Sequence, residues 1–108
     1  MSLDTPYALH VVFTLRSEEA ARAFDELVTE TLTGIRTEPG TIVYTVHTSV
    51  DQPLVRVFYE LYASEDAFRD HEDQVHTKLM LADRAQFLAQ PPQVTFMHQT
   101  MGKLPGTA

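Results

Sequence analysis

The chain of 108 residues contains no cysteine and no tryptophan, and its eight basic residues face fifteen acidic ones. The lack of cysteine excludes disulfides, cysteine-ligated zinc, iron–sulfur clusters and thiol catalysis. A formal net charge of -7 disfavours a nucleic-acid or anionic-membrane surface, because both partners need a basic patch. No apolar run approaches the roughly 20 residues that a membrane-spanning helix requires.

Sequence motifs for dinucleotides, P-loop phosphates, flavins and the serine-hydrolase elbow are also missing. We therefore expect no bound cofactor. No secretory leader is visible at the start of the given chain, and we expect a cytoplasmic protein. A hydrophobic fraction of 44% suffices for a packed core, and the length predicts one domain, which we place at residues 1–101 with a tail at 102–108.

Strand-like and helix-like segments alternate in the order βαββαβ. Ser17 and Ser64 are the predicted N-caps of two helices, each followed by two acidic residues and an alanine. The first helix should end at Gly34. Helical character after Ser64 continues through Leu79, an expected core residue, until Pro91. This order predicts an α+β, ferredoxin-like fold with helices on one face of an antiparallel sheet. The expected strands are Tyr7–Thr14, Thr41–Thr48, Leu54–Tyr62 and Val94–Met101.

Both faces of the predicted sheet carry apolar residues. In the third strand Val57 and Leu61 lie on one face, and Phe58 and Tyr62 lie on the other. A two-layer monomer buries one sheet face and leaves the other to water. The pattern therefore predicts a homodimer in which two sheets pack against each other.

Two histidines, His71 and His76, follow the third strand. On a continuous helix they would lie about 140° apart and would not share a metal ion. A helix break near Asp73 and Gln74 would instead let both line a cavity. Neither HxxxH nor HExxH occurs, so we expect no metal site. The alternative is that both are interface or surface histidines.

Further candidate residues lie in the strands and in the late helix. His10 and Glu60 are polar residues among apolar strand neighbours, where a buried polar group needs a hydrogen-bond partner. Glu60 could orient a histidine, or satisfy a cross-strand hydrogen bond. Tyr44 and Tyr62 could line a pocket or only fill the core. Arg84 could bind an anionic or phenolate ligand, or lie on the surface.

Several of these segments together resemble the antibiotic biosynthesis monooxygenase (ABM) family. The matching segments, from about residue 7 to 100, are Glu38-Pro39-Gly40 with Tyr44, the strand end Glu60–Tyr62, Ser64–Phe68, and the His71/His76 pair. The resemblance implies a ferredoxin-like fold, a dimeric α/β barrel and a pocket between the sheet and its helices. The family includes cofactor-free quinol and anthrone oxygenases, haem-degrading enzymes and processors of signal molecules.

The haem-degrading branch of the family fits poorly. It has an asparagine in the first strand, a tryptophan on the helix after the third strand, and an iron-ligating histidine later. The matching positions here are His10, His71 and Leu81. Haem degradation is therefore disfavoured.

The resemblance implies a cofactor-independent monooxygenase that oxidises a small aromatic quinol or anthrone with O2. The expected base is His71 or His76, with His71 favoured. Glu60 is expected to orient the base, and Tyr62 or His10 donates to the developing oxyanion. His76 could instead be hydrogen-bonded to Glu60 and serve as scaffold. The alternatives are a non-catalytic ligand-binding dimer and an isomerase of a small signal molecule. The expected substrate-binding residues are His10, Tyr44, Tyr62, Phe68 and Arg84.

Overall fold

A computed structural model describes residues 5–104 of the chain. Two of the four predicted strands, the first two, have the predicted bounds. The elements in chain order are β1 (Tyr7–Thr14), α1 (Glu18–Ile35), β2 (Thr41–Thr48), β3 (Val55–Tyr62), α2 (Glu65–Glu72), α3 (Val75–Asp83), a 3-10 turn (Arg84–Phe87) and β4 (Gln93–His98).

The four strands form one antiparallel sheet in the order β2-β3-β1-β4. Leu9 in the central strand β1 lies opposite Glu60 of β3 on one side and Phe96 of β4 on the other. The helices pack on one face, where Phe24 of α1 contacts Phe13 at 5.2 Å between ring centroids. This arrangement confirms the ferredoxin-like α+β fold.

Both predicted N-caps are present. Ser17 accepts a hydrogen bond from the backbone N–H of Ala20, and Ser64 accepts one from Ala67, each at 3.1 Å. Such a bond satisfies one of the N–H groups that the first helical turn leaves free. The repeated Ser-acid-acid-Ala segments therefore begin equivalent helices.

The second helical region is broken in two. The helix α2 is capped at its C-terminal end by Asp73, and α3 begins after Gln74, whose backbone is extended at φ -69° and ψ 144°. The structure thus contains the helix break near Asp73 and Gln74 that both His71 and His76 would need in order to line a cavity. It also corrects one packing expectation, because Leu79 on α3 is 59% exposed rather than part of the core.

The last strand is shorter than predicted and ends at His98 instead of Met101. Met101 is 85% exposed, so its side chain has no apolar surface to cover it. Residues 102–104 have no regular structure. The remaining part of the predicted tail, 105–108, lies outside the described residues.

The face of the sheet opposite the helices is mixed in character. Val12, Val57 and Tyr59 are half-buried there, whereas His10 and Thr95 are exposed. No helix among residues 5–104 is long and apolar enough to cross a membrane.

Candidate active site

A cavity of about 300 Å³ lies between the sheet and the helices. Its walls are mostly apolar, and the polar groups on it come from five different helices and strands and from the 3-10 turn. Such a mixture is typical of sites that bind small organic ligands. The polar and ionisable residues that line it are Thr31, Tyr44, Glu60, His71, Glu72, Thr77 and Arg84.

Glu60 is a buried carboxyl group in the wall of this cavity. Its side chain points to the helix-covered face of β3, and the Tyr62 hydroxyl donates a hydrogen bond to its Oε1 at 2.6 Å. Burial raises the pKa of Glu60 to about 7, although the bond from Tyr62 and the charge of Arg84 oppose the shift. Near neutral pH this carboxyl can therefore both accept and donate a proton.

This raised pKa predicts a pH-dependent stability. Because the folded pKa of about 7 exceeds the ordinary 4.5, the stabilisation from Glu60 is complete below pH 4.5 and is lost as the pH rises through the folded pKa. The shift corresponds to about 3 kcal/mol of unfolding free energy. Urea unfolding between pH 5 and pH 8 should show this loss in the unaltered chain and lack it in Glu60→Gln. The exposed Glu30→Gln is the control, and equal pH slopes in all three would contradict the prediction.

A second group of side chains surrounds the carboxylate of Glu38, at the turn before β2. Thr41 donates its hydroxyl to Oε1 at 2.6 Å, and His71 Nδ1 lies 2.8 Å from the same oxygen. His76 Nε2 contacts the other oxygen, Oε2. The side chains of Glu38 and His71 are only 7% and 6% exposed. Residues from the α1–β2 turn, α2 and α3 therefore meet at one buried carboxylate.

The negative charge of the Glu38 carboxylate determines which ring nitrogen of His71 carries the hydrogen. Burial acts to raise the pKa of Glu38, but the hydrogen bonds from Thr41, His76 and His71 outweigh it and lower that pKa. An ionised carboxylate can only accept, so the Nδ1 of His71 must donate. In the neutral ring the lone pair then resides on Nε2.

The ring of His71 lies between two cavities of the protein. It lines the main cavity, which Glu38 does not line, and both residues line a second, outer cleft of about 250 Å³. The edge that carries Nδ1 faces Glu38, which places Nε2 on the other edge of the ring. Glu38 and His71 thus form a dyad in which a carboxylate orients a base at the cavity wall.

The same cluster is the place where the described residues could hold a divalent ion. One ligand atom each from Glu38, His71 and His76 lies within 4.8 Å of the others. The expectation of no metal site rested on the missing HxxxH and HExxH motifs and on a continuous helix, and the break between α2 and α3 removes the second premise. Both carboxylate oxygens nevertheless already accept hydrogen bonds from the two rings. Both oxygens of the Glu38 carboxylate thus already have partners within the protein.

Arg84 lies at the cavity and not on the surface. Its guanidinium stacks over the ring of Phe13 at 5.2 Å from the centroid, and burial lowers its pKa. It forms no ion pair with any residue in the range 5–104. A desolvated cation of this kind favours an anionic ligand.

Several sequence-predicted residues lie together at this site. Phe68 lines the cavity, and Tyr44 contacts the ring of His71 at 5.8 Å between centroids. The Tyr62 hydroxyl is directed at Glu60. His10 instead is exposed on the outer face of the sheet.

Two of the expected roles need correction. Glu60 does not orient a histidine, because its hydrogen bond is to Tyr62. His76 is not bound to Glu60 either, since it contacts Glu38.

Neither Glu38 nor Thr77 is among the site residues that the sequence predicts. Glu38 belongs to a predicted turn and to a segment that resembles the family, but its distance of 33 positions from His71 gives no local signal of their contact. Thr77 is 4% exposed, lines the cavity, and looks in the sequence like any helical threonine.

The comparisons with known proteins agree with this architecture. The family model described as antibiotic biosynthesis monooxygenase (ABM) matches residues 6–82. The chain therefore belongs to the ABM family. No curated protein matches the chain significantly.

Solved structures of similar fold cover almost the whole chain. Rv0793 from Mycobacterium tuberculosis is 26% identical, with a TM-score of 0.84, over 91% of this chain and 98% of that one. A putative antibiotic biosynthesis monooxygenase from Caulobacter crescentus is 21% identical, with a TM-score of 0.84, over 92% and 93% of the two chains. One from Nitrosomonas europaea is 20% identical, with a TM-score of 0.82, over 92% and 94%.

Proposed function

We propose that this protein is a cofactor-independent monooxygenase of a small, electron-rich aromatic such as a quinol or an anthrone. The observation that carries the proposal is the Glu38–His71 dyad at the wall of a mostly apolar cavity of about 300 Å³. The family description supports the same reaction class. The substrate supplies the electrons, so the protein must provide a base, hydrogen-bond donors and a water-poor space.

The proposed reaction starts with proton removal. His71 Nε2 takes a proton from the benzylic or phenolic position, and Glu38 stabilises the imidazolium through Nδ1. The substrate carbanion then transfers one electron to O2, and the two radicals combine to a peroxide. His71 returns its proton to the distal peroxide oxygen, which gives a hydroperoxide. The hydrogen that remains on the oxygenated carbon then leaves as a proton while the O–O bond breaks, and it combines with the departing hydroxide to form water, so that a new carbonyl remains on the quinone. One O2 gives one quinone oxygen and one water.

The negative charge that develops on the substrate oxygen needs a donor. Tyr62 is occupied by Glu60, and His10 lies on the outer face. The two remaining candidates are Arg84 and Tyr44, both of which line the cavity. The guanidinium is a permanent charge, and burial raises the pKa of the Tyr44 phenol, so the hydroxyl stays protonated and able to donate.

Oxygen consumption tests this proposal. Purified protein with 1,4-dihydroxynaphthalene or anthrone should consume one O2 per quinone formed and release no peroxide, as shown by no O2 return on adding catalase. Binding without O2 uptake would instead favour a non-catalytic ligand-binding protein. Turnover under anaerobic conditions would favour an isomerase or another enzyme that processes a signal molecule.

We also propose that the protein acts as a homodimer through the outer face of the sheet, where Val12, Val57 and Tyr59 stay half-exposed. The buried interface should exceed about 1,000 Å² in total. Light scattering should give twice the mass of 12.2 kDa, and Val57→Lys should shift the protein towards monomer. A 12.2 kDa species at all working concentrations would contradict this.

A further inference from the structure

The hydroxyl of Thr77 differs from the other buried polar side-chain groups of residues 5–104 in its hydrogen bonding. Its Oγ1 is buried and forms no hydrogen bond, the single buried side-chain nitrogen or oxygen in that range without a partner. A buried hydroxyl without a partner costs about 1–3 kcal/mol of stability. The group is therefore a cost to the ligand-free protein that needs an explanation.

Two helical threonines elsewhere in this chain do have a hydrogen-bond partner for the hydroxyl. Thr29 and Thr31 each donate to the carbonyl oxygen four residues earlier, Asp25 and Leu27, at 2.8 Å. The equivalent residue for Thr77 is Asp73, which caps the end of α2 outside the helix of Thr77. The break between α2 and α3 thus separates Thr77 from the usual partner.

The side chain of Thr77 lines the main cavity beside the proposed substrate. A helical threonine commonly occupies two χ1 rotamers. Rotation about that bond exchanges the positions of its methyl group and hydroxyl, so the hydroxyl can turn towards a ligand that contacts Thr77. A ligand oxygen at this point would give Oγ1 the hydrogen bond that the protein does not supply.

We propose that Thr77 is a specificity-determining residue that hydrogen-bonds a second oxygen of the substrate. The cavity would then select aromatic rings that carry two oxygen functions over analogues that carry one. This inference rests on the proposed function for the identity of the ring, and it adds the recognition of a second oxygen. A site that hydrogen-bonds a substrate hydroxyl discriminates strongly against the analogue without it.

The test compares Thr77→Val with Thr31→Val. Valine has nearly the shape of threonine but no hydroxyl. Thr31 is a matched control, because it lines the same cavity and is equally buried, but its hydroxyl is bonded to Leu27. Without ligand, Thr77→Val should raise the melting temperature by about 4 °C or more. Thr31→Val should not raise it.

Binding is measured under anaerobic conditions, so that no oxidation is needed. The unaltered protein should bind 1,4-dihydroxynaphthalene about tenfold to a hundredfold more tightly than 1-naphthol, which lacks the second hydroxyl. Thr77→Val should lose this preference, whereas Thr77→Ser and Thr31→Val should keep it. If Thr77→Val weakens binding of 1,4-dihydroxynaphthalene but not of 1-naphthol, the Thr77 hydroxyl is the group that selects between them.

Three results would overturn the inference. They are a lower melting temperature in Thr77→Val, an unchanged preference in that variant, and equal or no binding of the two probes by the unaltered protein. The proposed oxygenase activity is judged separately, by O2 uptake. A preference that depends on Thr77 in a protein without O2 uptake would support this inference and refute the oxygenase.

Discussion

Replacing His71 with alanine should slow the oxidation of 1,4-dihydroxynaphthalene by about 10²–10⁴-fold, the usual contribution of a general base. The reason is geometric: Glu38 holds Nδ1, and the other nitrogen of the ring is the one that can take the substrate proton. The rate is measured as initial O2 uptake at saturating substrate. KM should change much less than kcat, because the interaction is made with the moving proton.

Two further histidine variants separate catalysis from folding. His71→Asn keeps an N–H group that can donate to Glu38 but has no second nitrogen, so it should fold normally and be equally slow. His47→Ala is the control, since His47 is exposed and its ring bonds to the exposed Thr45, away from the cavity. Full activity in His71→Ala would refute the assignment of the base. A similar loss in His76→Ala would instead mean that both rings are needed.

Glu38→Ala should be the most destabilising single change at this site. It removes the common acceptor of Thr41, His71 and His76 and leaves their buried polar groups unpaired. Breaking such a buried arrangement typically costs about 3–5 kcal/mol. Urea unfolding at pH 7 measures this loss, and O2 uptake should fall as well because the orientation of His71 is lost.

The matched control for this change is Glu30→Ala, because Glu30 is an exposed residue of α1. It should alter the unfolding free energy by about 0.5 kcal/mol or less. Glu38→Gln keeps one carbonyl oxygen as acceptor and should be intermediate. A Glu38→Ala protein as stable as the Glu30→Ala protein would mean that the cluster contributes nothing to the fold.

The parts of the fold that depend on local chemistry could be predicted from the sequence. The β-branched and aromatic residues of Tyr7–Thr14 predicted a strand there. Ser17 and Ser64 marked helix starts, because a cap needs only the residues beside it. The sequence does not decide whether the helix breaks at Gln74, because neither proline nor glycine occurs there. Leu79 was misplaced because an apolar residue on a helix reveals its direction only once the neighbouring elements are in place.

The candidate site was less predictable for the same reason. His71 was identified as a candidate because a histidine after the third strand matched a family pattern. Its partner Glu38 lies in a turn 33 positions away, and only the packing of α2 against β2 brings the two together. Thr77 became notable only through burial, which a linear pattern does not report, and the position of Arg84 at the cavity likewise depends on packing.

The close approach of Gly34 to His76, one of the partners of Glu38, matters for protein engineering. Gly34 is a helical residue of α1, where alanine would ordinarily stabilise by about 1 kcal/mol. A Cβ at this position, however, would overlap the ring of His76, whose Nδ1, Cγ and Cε1 all lie inside normal contact distance. A stabilised version designed from helix propensity alone would choose alanine here and push His76 away from Glu38. The sound rule for such a design is to leave position 34 as glycine.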